Sequence, residues 1–205
     1  MRTYFRILFL LFLLNIPFSS SDKLVQAAVS IKMKGIRTGK VNDTDEVMNF
    51  IKNGNKLLKS KHETLDRVKA CIDSATAICE RRKLDIPAAL YLLEAEYYYA
   101  AGDLRSASET AMLSLDAAED SNNREYLARV YLFLGKYNRR TGFYEESIGN
   151  YEKAIEIAGK EKLNGIIPLA YLDQAILYQS VEDRNKEIEY FQRFIDASNR
   201  ENDTS

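Results

Sequence analysis

The sequence contains no tryptophan, one histidine, two cysteines and three prolines in 205 residues. The histidine, His62, falls in a predicted turn between helices, and a lone histidine there is expected to be solvated surface rather than a catalytic base. The chain also has no metal-ligand spacing, no glycine-rich phosphate loop and no nucleophile motif. We therefore predict a protein that is not an enzyme, has no catalytic residue and uses neither a metal nor a cofactor.

A surplus of one charge is also missing. The chain has 29 Lys and Arg against 30 Asp and Glu, which gives a net charge of −1. Proteins that bind nucleic acid need a basic surface to neutralise phosphates. The balance predicts no nucleic-acid partner.

The two cysteines, Cys71 and Cys79, lie eight residues apart on one predicted helix. At about 1.5 Å of rise per residue they are separated by about 12 Å, which is beyond the reach of a disulfide. Both fall on an apolar stripe, so we predict buried free thiols. An intermolecular bridge is the alternative.

The N-terminus resembles an export signal in its layout. Arg2 and Arg6 precede an apolar run over residues 7–14. Pro17 follows this run and precedes three serines. This order is typical of a secretory signal, and the run is shorter than the ~20 residues that span a membrane. We predict a signal peptide over 1–21, cleaved after Ser21, and export to the periplasm or envelope of a bacterial cell. An uncleaved membrane anchor is the alternative.

Residues 22–43 mix basic and apolar residues with two glycines and are interpreted as a linker or weakly ordered lead-in. From Thr44 onward the apolar residues follow a helical period, and no alternating pattern competes with it. Short breaks divide this part into eight helices in four hairpins, the longest break covering residues 160–168. The composition and periodicity predict an all-α protein.

Three sets of positions repeat at an interval of 40 residues: Tyr91, Tyr131 and Tyr171; Ala95, Gly135 and Ala175; Gly102, Gly142 and Glu182. Self-similarity at a fixed interval is the signature of a solenoid. A glycine inside a helix costs about 1 kcal/mol relative to alanine. Gly135 therefore predicts a close contact between helices that offsets this cost.

The best copy of the repeat resembles the tetratricopeptide repeat in its Leu-Gly pair, its turn and its small–aromatic–small run: Leu134, Gly135, Gly142, Tyr144, Ser147, Tyr151 and Ala154. The resemblance implies helix–turn–helix units stacked into a right-handed α-solenoid. It covers residues 86–198 as three repeats, and 44–85 as a degenerate first hairpin, before a polar tail at 199–205. The interval of 40 residues exceeds the family's usual length of about 34, which implies longer helices.

By this resemblance one set of residues packs the repeats together: Tyr91, Ala95, Gly102, Ala107, Tyr131, Leu134, Gly135, Gly142, Tyr144, Ser147, Tyr151, Ala154, Tyr171, Ala175, Tyr178 and Phe191. The fourth repeat departs from the pattern at Glu187 and Phe194, where the family places small residues. We expect no ordinary repeat to follow, and we expect Phe191 and Phe194 to form a homodimer contact at the C-terminal end.

The resemblance also implies a concave face that contacts partners, lined by the first helix of each hairpin. Its inward positions are Ala89, Leu92, Glu96, Tyr99 and Ala100; then Arg129, Leu132, Lys136, Arg139 and Arg140; then Leu169, Leu172, Ile176, Gln179 and Ser180. The middle set is basic and its neighbours are apolar or aromatic, which suits a peptide carrying an acidic group. Alternatively, these cations form a solvated helix end, where the helix dipole favours positive charge.

The sequence lacks the spread of Lys and Asn with which some members of the family clamp a chaperone's C-terminal carboxylate. We therefore predict an exported scaffold or adaptor that binds a protein or peptide partner in its groove. One alternative is the sensory front end of a signal-transduction regulator, with a histidine kinase or DNA-binding output on a longer chain or a separate partner. Another is an accessory protein for carbohydrate uptake or envelope assembly.

Overall fold

The structure is a computed structural model that describes residues 43–60 and 65–203. Within those two ranges the chain forms eight α-helices and no strand. The helices are α1 (43–58), α2 (Leu65–Arg82), α3 (Ala88–Ala101), α4 (Leu104–Asp120), α5 (Arg124–Thr141), α6 (Tyr144–Glu161), α7 (Ile166–Ser180) and α8 (Arg184–Asp203). The compact unit considered below starts at Glu46. The predicted signal peptide, nearly all of the predicted lead-in and His62 lie outside the described residues.

Consecutive helices form hairpins, which confirms the prediction of an all-α helical-repeat solenoid. The tight turns of the last three hairpins have the same geometry, because one residue in each adopts a left-handed conformation: Gly102 (φ +86°), Gly142 (φ +85°) and Glu182 (φ +59°). In each turn the next backbone N–H donates to a carbonyl five residues earlier, at 2.9–3.0 Å. Glycine adopts this conformation without a steric cost, which explains two of the three repeated turn positions. Glu182 adopts it despite its side chain.

The third hairpin, α5–α6, is held by a very close helix contact. A Cβ built on Gly135 would lie 2.4 Å from Cε1 of Tyr151, whose side chain is fully buried. The hydroxyl of Ser147 donates to the carbonyl of Gly135 at 2.7 Å, also in the core. The close approach expected from this glycine is present. Any side chain at position 135 would displace the ring of Tyr151.

The first hairpin, which the sequence matches only loosely, packs against the second through one apolar cluster. Its buried members are Val47, Ile51, Val68, Ile72, Ala75, Ile78, Cys79, Ala89, Leu90 and Leu93. A Cβ on Gly54 would lie 2.6 Å from Cδ2 of Leu93. A small residue on α1 therefore admits a large one from α3.

Two helix bounds differ from the sequence-based prediction. Helix α8 continues to Asp203, five residues into the segment predicted as a polar tail. Helix α7 starts at Ile166, inside the predicted break, with Pro168 in its first turn. Proline is tolerated there because the first four N–H groups of a helix have no intrahelical acceptor.

Two predicted core side chains are more exposed than expected. Cys79 is buried, but Cys71 is only half-buried, and both are free thiols. Tyr144 is the first residue of α6, directly after the turn, and is 38% exposed. It therefore belongs to the surface of the hairpin rather than to its core.

Candidate partner-binding face

The first helices of successive hairpins line one face of the repeat. Helix α3 contacts α5, and α5 contacts α7. Among α2 to α8, the second helices α4, α6 and α8 make no contact with one another. We call the surface of α3, α5 and α7, together with the C-terminal end of α1, the inner face.

The predicted inward positions differ widely in exposure. Leu92 and Leu132 are 6% and 7% exposed and belong to the core, which leaves them little surface to offer a partner. Glu96, Tyr99, Lys136, Arg139, Leu172 and Ile176 are half-buried, and Ala100, Arg129, Arg140, Leu169, Gln179 and Ser180 are exposed. Four of these six exposed positions are polar, and four of the six lie at the C-terminal ends of their helices.

Charges of opposite sign alternate across this face. Lys136 on α5 lies 3.4 Å from the carboxylate of Asp173 on α7, measured from Nζ to Oδ2. On its other side, Lys136 interacts electrostatically with Glu96 on α3, as do Arg129 and Lys59, the latter at the end of α1. From α1 to α7 the signs read plus, minus, plus, minus. We call Lys59, Glu96, Lys136 and Asp173 the charge ladder.

The two acids of the charge ladder ionise less readily than free carboxyls. Burial raises the pKa of Glu96, and the nearby cations offset this only in part. Burial also raises the pKa of Asp173, against the opposing effects of Lys136 and Arg139. Taking a carboxylate out of water disfavours its charged form unless partners fully replace the lost hydration.

Two other cations of the middle set, Arg129 and Arg140, already have partners on this chain. Arg129 pairs with Glu125 one turn earlier, at 2.8 Å. Arg140 donates to the carbonyl of Tyr99 at 2.7 Å, and its guanidinium lies 4.6 Å from the centre of the Tyr99 ring. The basic residues are therefore compensated locally, and the inner face is not a free cationic patch.

Helices α5, α6 and α7 also carry buried polar atoms without a hydrogen-bond partner of ordinary geometry among the described residues. They are Nε of Arg139, the hydroxyl of Tyr151, Oδ2 of Asp173 apart from its ion pair, and both amide atoms of Gln174. Burial raises the pKa of Tyr151, and the nearby Asp173 raises it further, whereas Arg139 and Ser147 beside the hydroxyl lower it. Tyr151 on α6 therefore lies close to Arg139 on α5 and to Asp173 on α7. These atoms are closed off from solvent and belong to the packing beneath the face rather than to its accessible surface.

Asp173 and Gln174 were missed as site residues by the sequence reasoning. At the interval of 40 residues, Asp173 is equivalent to Leu93 and Phe133, both core residues. Register alone would therefore place it in the core. A carboxylate at an otherwise apolar register position was the signal that could have identified it.

Among the parts of the chain that the structure describes, no group of three or more His, Cys, Asp or Glu side chains is placed to hold a metal ion. A search of the same residues finds no helix that is both long and apolar enough to cross a membrane.

No protein-family model matches the chain, and no curated protein matches it in sequence. Solved structures of similar fold include the following two. One is a Signal Transduction ATPase with Numerous Domains protein with a tetratricopeptide repeat sensor, from Pyrococcus horikoshii. It has a TM-score of 0.59 and 17% identity, and the match covers 79% of this chain.

This chain spans only 25% of the length of the Pyrococcus protein. The second structure is BtubC (BKLC) from P. vanneervenii, with a TM-score of 0.62 and 17% identity. That match covers 89% of this chain and 75% of BtubC. At this identity the likeness concerns the fold, and it supports a helical repeat of the tetratricopeptide type.

Proposed function

We propose that this chain is a non-enzymatic interaction module that binds a polypeptide segment along its inner face. The observation that supports the proposal is the charge ladder, whose alternating charges lie on α3, α5 and α7 and directly after α1. Glu96 and Lys136 are half-buried and Lys59 is exposed, so these charges are within reach of a ligand. A face of this kind favours a polar ligand of mixed charge.

The chemistry of the face favours a segment with mixed polarity over a strongly acidic one. Glu96 and Asp173 would repel a run of carboxylates, and Arg129 and Arg140 already have partners. Peptide amides offer a carbonyl to the half-buried Lys136 or Arg139 and an N–H to the half-buried Glu96. The proposed ligand is therefore recognised through its main chain, with opposite charges spaced to meet the ladder.

The test uses a random peptide library displayed on phage and selected against the purified chain. A selected peptide is synthesised with a fluorophore, and its binding is measured by anisotropy. The inner-face variant combines Lys59→Gln, Lys136→Gln and Arg139→Gln. The matched control combines Arg105→Gln, Lys153→Gln and Lys160→Gln, which removes the same charge from the second helices α4 and α6.

We expect the inner-face variant to bind the peptide at least ~10-fold more weakly, since a lost charge-assisted hydrogen bond costs about 1.5–3 kcal/mol. The control should bind as the unaltered chain does. Peptides in which single amides are N-methylated should lose affinity at two or more positions. Equal affinity of the two variants, or no effect of N-methylation, would contradict binding at the inner face.

We further propose that the module acts outside the cytoplasm, in the periplasm or cell envelope. The support is the order of basic, apolar and small residues over 1–21. Expression with a C-terminal tag, followed by N-terminal sequencing of the periplasmic protein, should give a chain that starts at Asp22. A tagged protein that stays in the membrane fraction with Met1 intact would support the uncleaved anchor.

A sensory role in a signal-transduction regulator is the second candidate. The Pyrococcus protein of similar fold contains a repeat domain described as a sensor. In this case the inner face would bind the signal, and an output domain would respond on the same polypeptide or on a partner. An immunoblot of the source cells tests the fused form, because an output domain on the same polypeptide gives a mass well above 23.5 kDa.

A further inference from the structure

Helices α6 and α8 carry the same apolar pair in very different surroundings. Ile148 and Ile155 on α6 recur 40 residues later as Ile188 and Ile195 on α8. On α6 both side chains pack against the main core cluster. On α8 they are 58% and 47% exposed. Helix α8 therefore displays the surface that α6 buries.

The difference arises because α6 is covered by the next hairpin and α8 is not. Helix α7 packs against α6, with Ile166 and Ala170 in the same core cluster. Within the described ranges α8 contacts α7 alone. Its outer side is thus a continuation of an established inter-repeat interface, without the helix that would complete it.

Another helix in the manner of α7 does not fit this surface. The contact between α6 and α7 depends on Ala154, which is fully buried in the same core cluster as Ile166 and Ala170. The equivalent residue on α8 is the much larger Phe194. The occupant must meet a ridge of bulky side chains at a wider separation.

We propose that this occupant is a second copy of the chain, with the two α8 helices packed antiparallel about a two-fold axis. The sequence analysis pointed to Phe191 and Phe194, whereas the structure moves the contact to Ile188, Phe191 and Ile195. Their spacing of three and seven residues places them on one stripe. In an antiparallel pair, Ile188 of one copy meets Ile195 of the other, so the stripe complements itself.

Charge supports the antiparallel arrangement. Arg184 lies at the N-terminal end of the stripe and is 75% exposed although it pairs with Glu187, and Asp196, which accepts a hydrogen bond from Gln192, is exposed near its C-terminal end. Antiparallel packing brings each near the opposite charge of the other copy, whereas parallel packing would align like charges. The inference does not depend on the proposed peptide binding, since α8 lies outside the inner face.

The oligomeric state of the purified full chain provides the test, measured by sedimentation equilibrium. We expect twice the chain mass of 23.5 kDa at micromolar concentration. Ile188→Glu combined with Ile195→Glu should halve the mass. The matched control, Met112→Glu with Leu113→Glu, alters two residues of similar exposure on α4 and should remain a dimer. Circular dichroism shows whether each variant keeps its helices.

Cysteine cross-linking checks the orientation in a Cys71→Ser background. A mixture of Ile188→Cys and Ile195→Cys chains should form a disulfide-linked dimer under mild oxidation, and neither chain alone should do so. A monomeric wild type, a dimer that persists in the α8 variant, or a dimer lost in the α4 control would overturn the proposal. Cross-linking of each single variant with itself would overturn the antiparallel arrangement.

Discussion

Two contacts between hairpins, the first between the second and third hairpins and the second between the third and fourth, fill equivalent space with different residues. Between the second and third hairpins, the fully buried Ala111 of α4 shares a core cluster with Phe133 of α5. Forty residues later, the second helix carries Tyr151 and the following first helix carries Asp173. At the first contact the aromatic ring is on the later helix, α5, and at the second contact it is on the earlier helix, α6.

This exchange shows that the repeat preserves the volume of the junction rather than the residue at each position. Because Tyr151 already supplies the aromatic ring between α6 and α7, position 173 does not need an apolar side chain to fill this space and can hold a carboxylate. Asp173 can therefore lie beside Tyr151 at the second junction. At the first junction the equivalent position is filled by Phe133. Volume conservation is what cores generally require.

The largest effects should come from removing either ring. Tyr151→Ala and Phe133→Ala should each lower the free energy of unfolding by about 3–5 kcal/mol, because each leaves a cavity in a closely packed junction. Urea denaturation followed by circular dichroism measures both. A loss below about 1 kcal/mol for Phe133→Ala would mean that the ring does not fill the first junction.

Tyr151→Phe separates the ring from its hydroxyl. The hydroxyl makes no hydrogen bond of ordinary geometry among the described residues, although Arg139 and Ser147 lie beside it, so we expect the free energy of unfolding to change by less than about 1 kcal/mol. A loss of about 1–3 kcal/mol would instead show that the hydroxyl is bonded in the folded protein.

Gly135→Ala should have the next largest effect. The new Cβ would meet the buried Tyr151 ring at 2.4 Å, and overpacking of this kind costs about 1–3 kcal/mol. Gly149→Ala is the matched control on α6, because no atom lies within 4 Å of its Cβ position. It should stabilise the protein by about 0.5–1 kcal/mol through helix propensity. Stabilisation of similar size in both variants would rule out the tight contact.

The sequence was sufficient to predict the helices, the 40-residue interval and the close contact at Gly135, because these depend on local periodicity and on small residues. The charge ladder was not predictable in the same way. Glu96 and Lys136 occur on different helices, and whether they meet depends on helix crossing angles that no local pattern encodes. Asp173 was not predicted as a site residue for a further reason: the equivalent positions in the other copies hold Leu93 and Phe133.

The pH dependence of stability should differ between the charge ladder and a surface cap. Burial raises the pKa of Glu96 in the folded chain, so the folded state binds a proton at a higher pH than the unfolded state does. Stability from this group therefore increases as pH falls through the raised value, and the gain is complete below about 4.3. Glu96→Gln should be more stable than the unaltered chain at pH 7, with the difference vanishing in acid.

Asp103→Asn provides the opposite case. Hydrogen bonds from Ser106 lower the pKa of Asp103 at the N-cap of α4. Its stabilisation is present at neutral pH and is lost as pH falls through the lowered value. This variant should be the less stable one at pH 7, and thermal unfolding between pH 3 and 7 measures both. Parallel pH profiles of the two variants would contradict the assignment of Glu96 to a buried setting.

The smallest expected effect concerns a cation that one hairpin lacks. Lys153 lies 5.1 Å from the centre of the Tyr131 ring in the third hairpin, and Arg193 lies 5.9 Å from that of Tyr171 in the fourth. The second hairpin has Tyr91 at the same register but carries Leu113, which is 48% exposed, in place of the cation. Leu113→Lys should therefore restore the contact and stabilise the protein by about 0.5–1 kcal/mol.

Met112→Lys is the control, because position 112 is about as exposed as position 113 but is not in register with the Tyr91 ring. Combining Leu113→Lys with Tyr91→Leu should remove the gain, since the quadrupole of the ring is then absent. A gain that survives the loss of Tyr91 would come from replacing an exposed apolar residue. In that case the repeated cation would serve to keep the surface of the second helices polar, and it would not contribute to the packing of each hairpin.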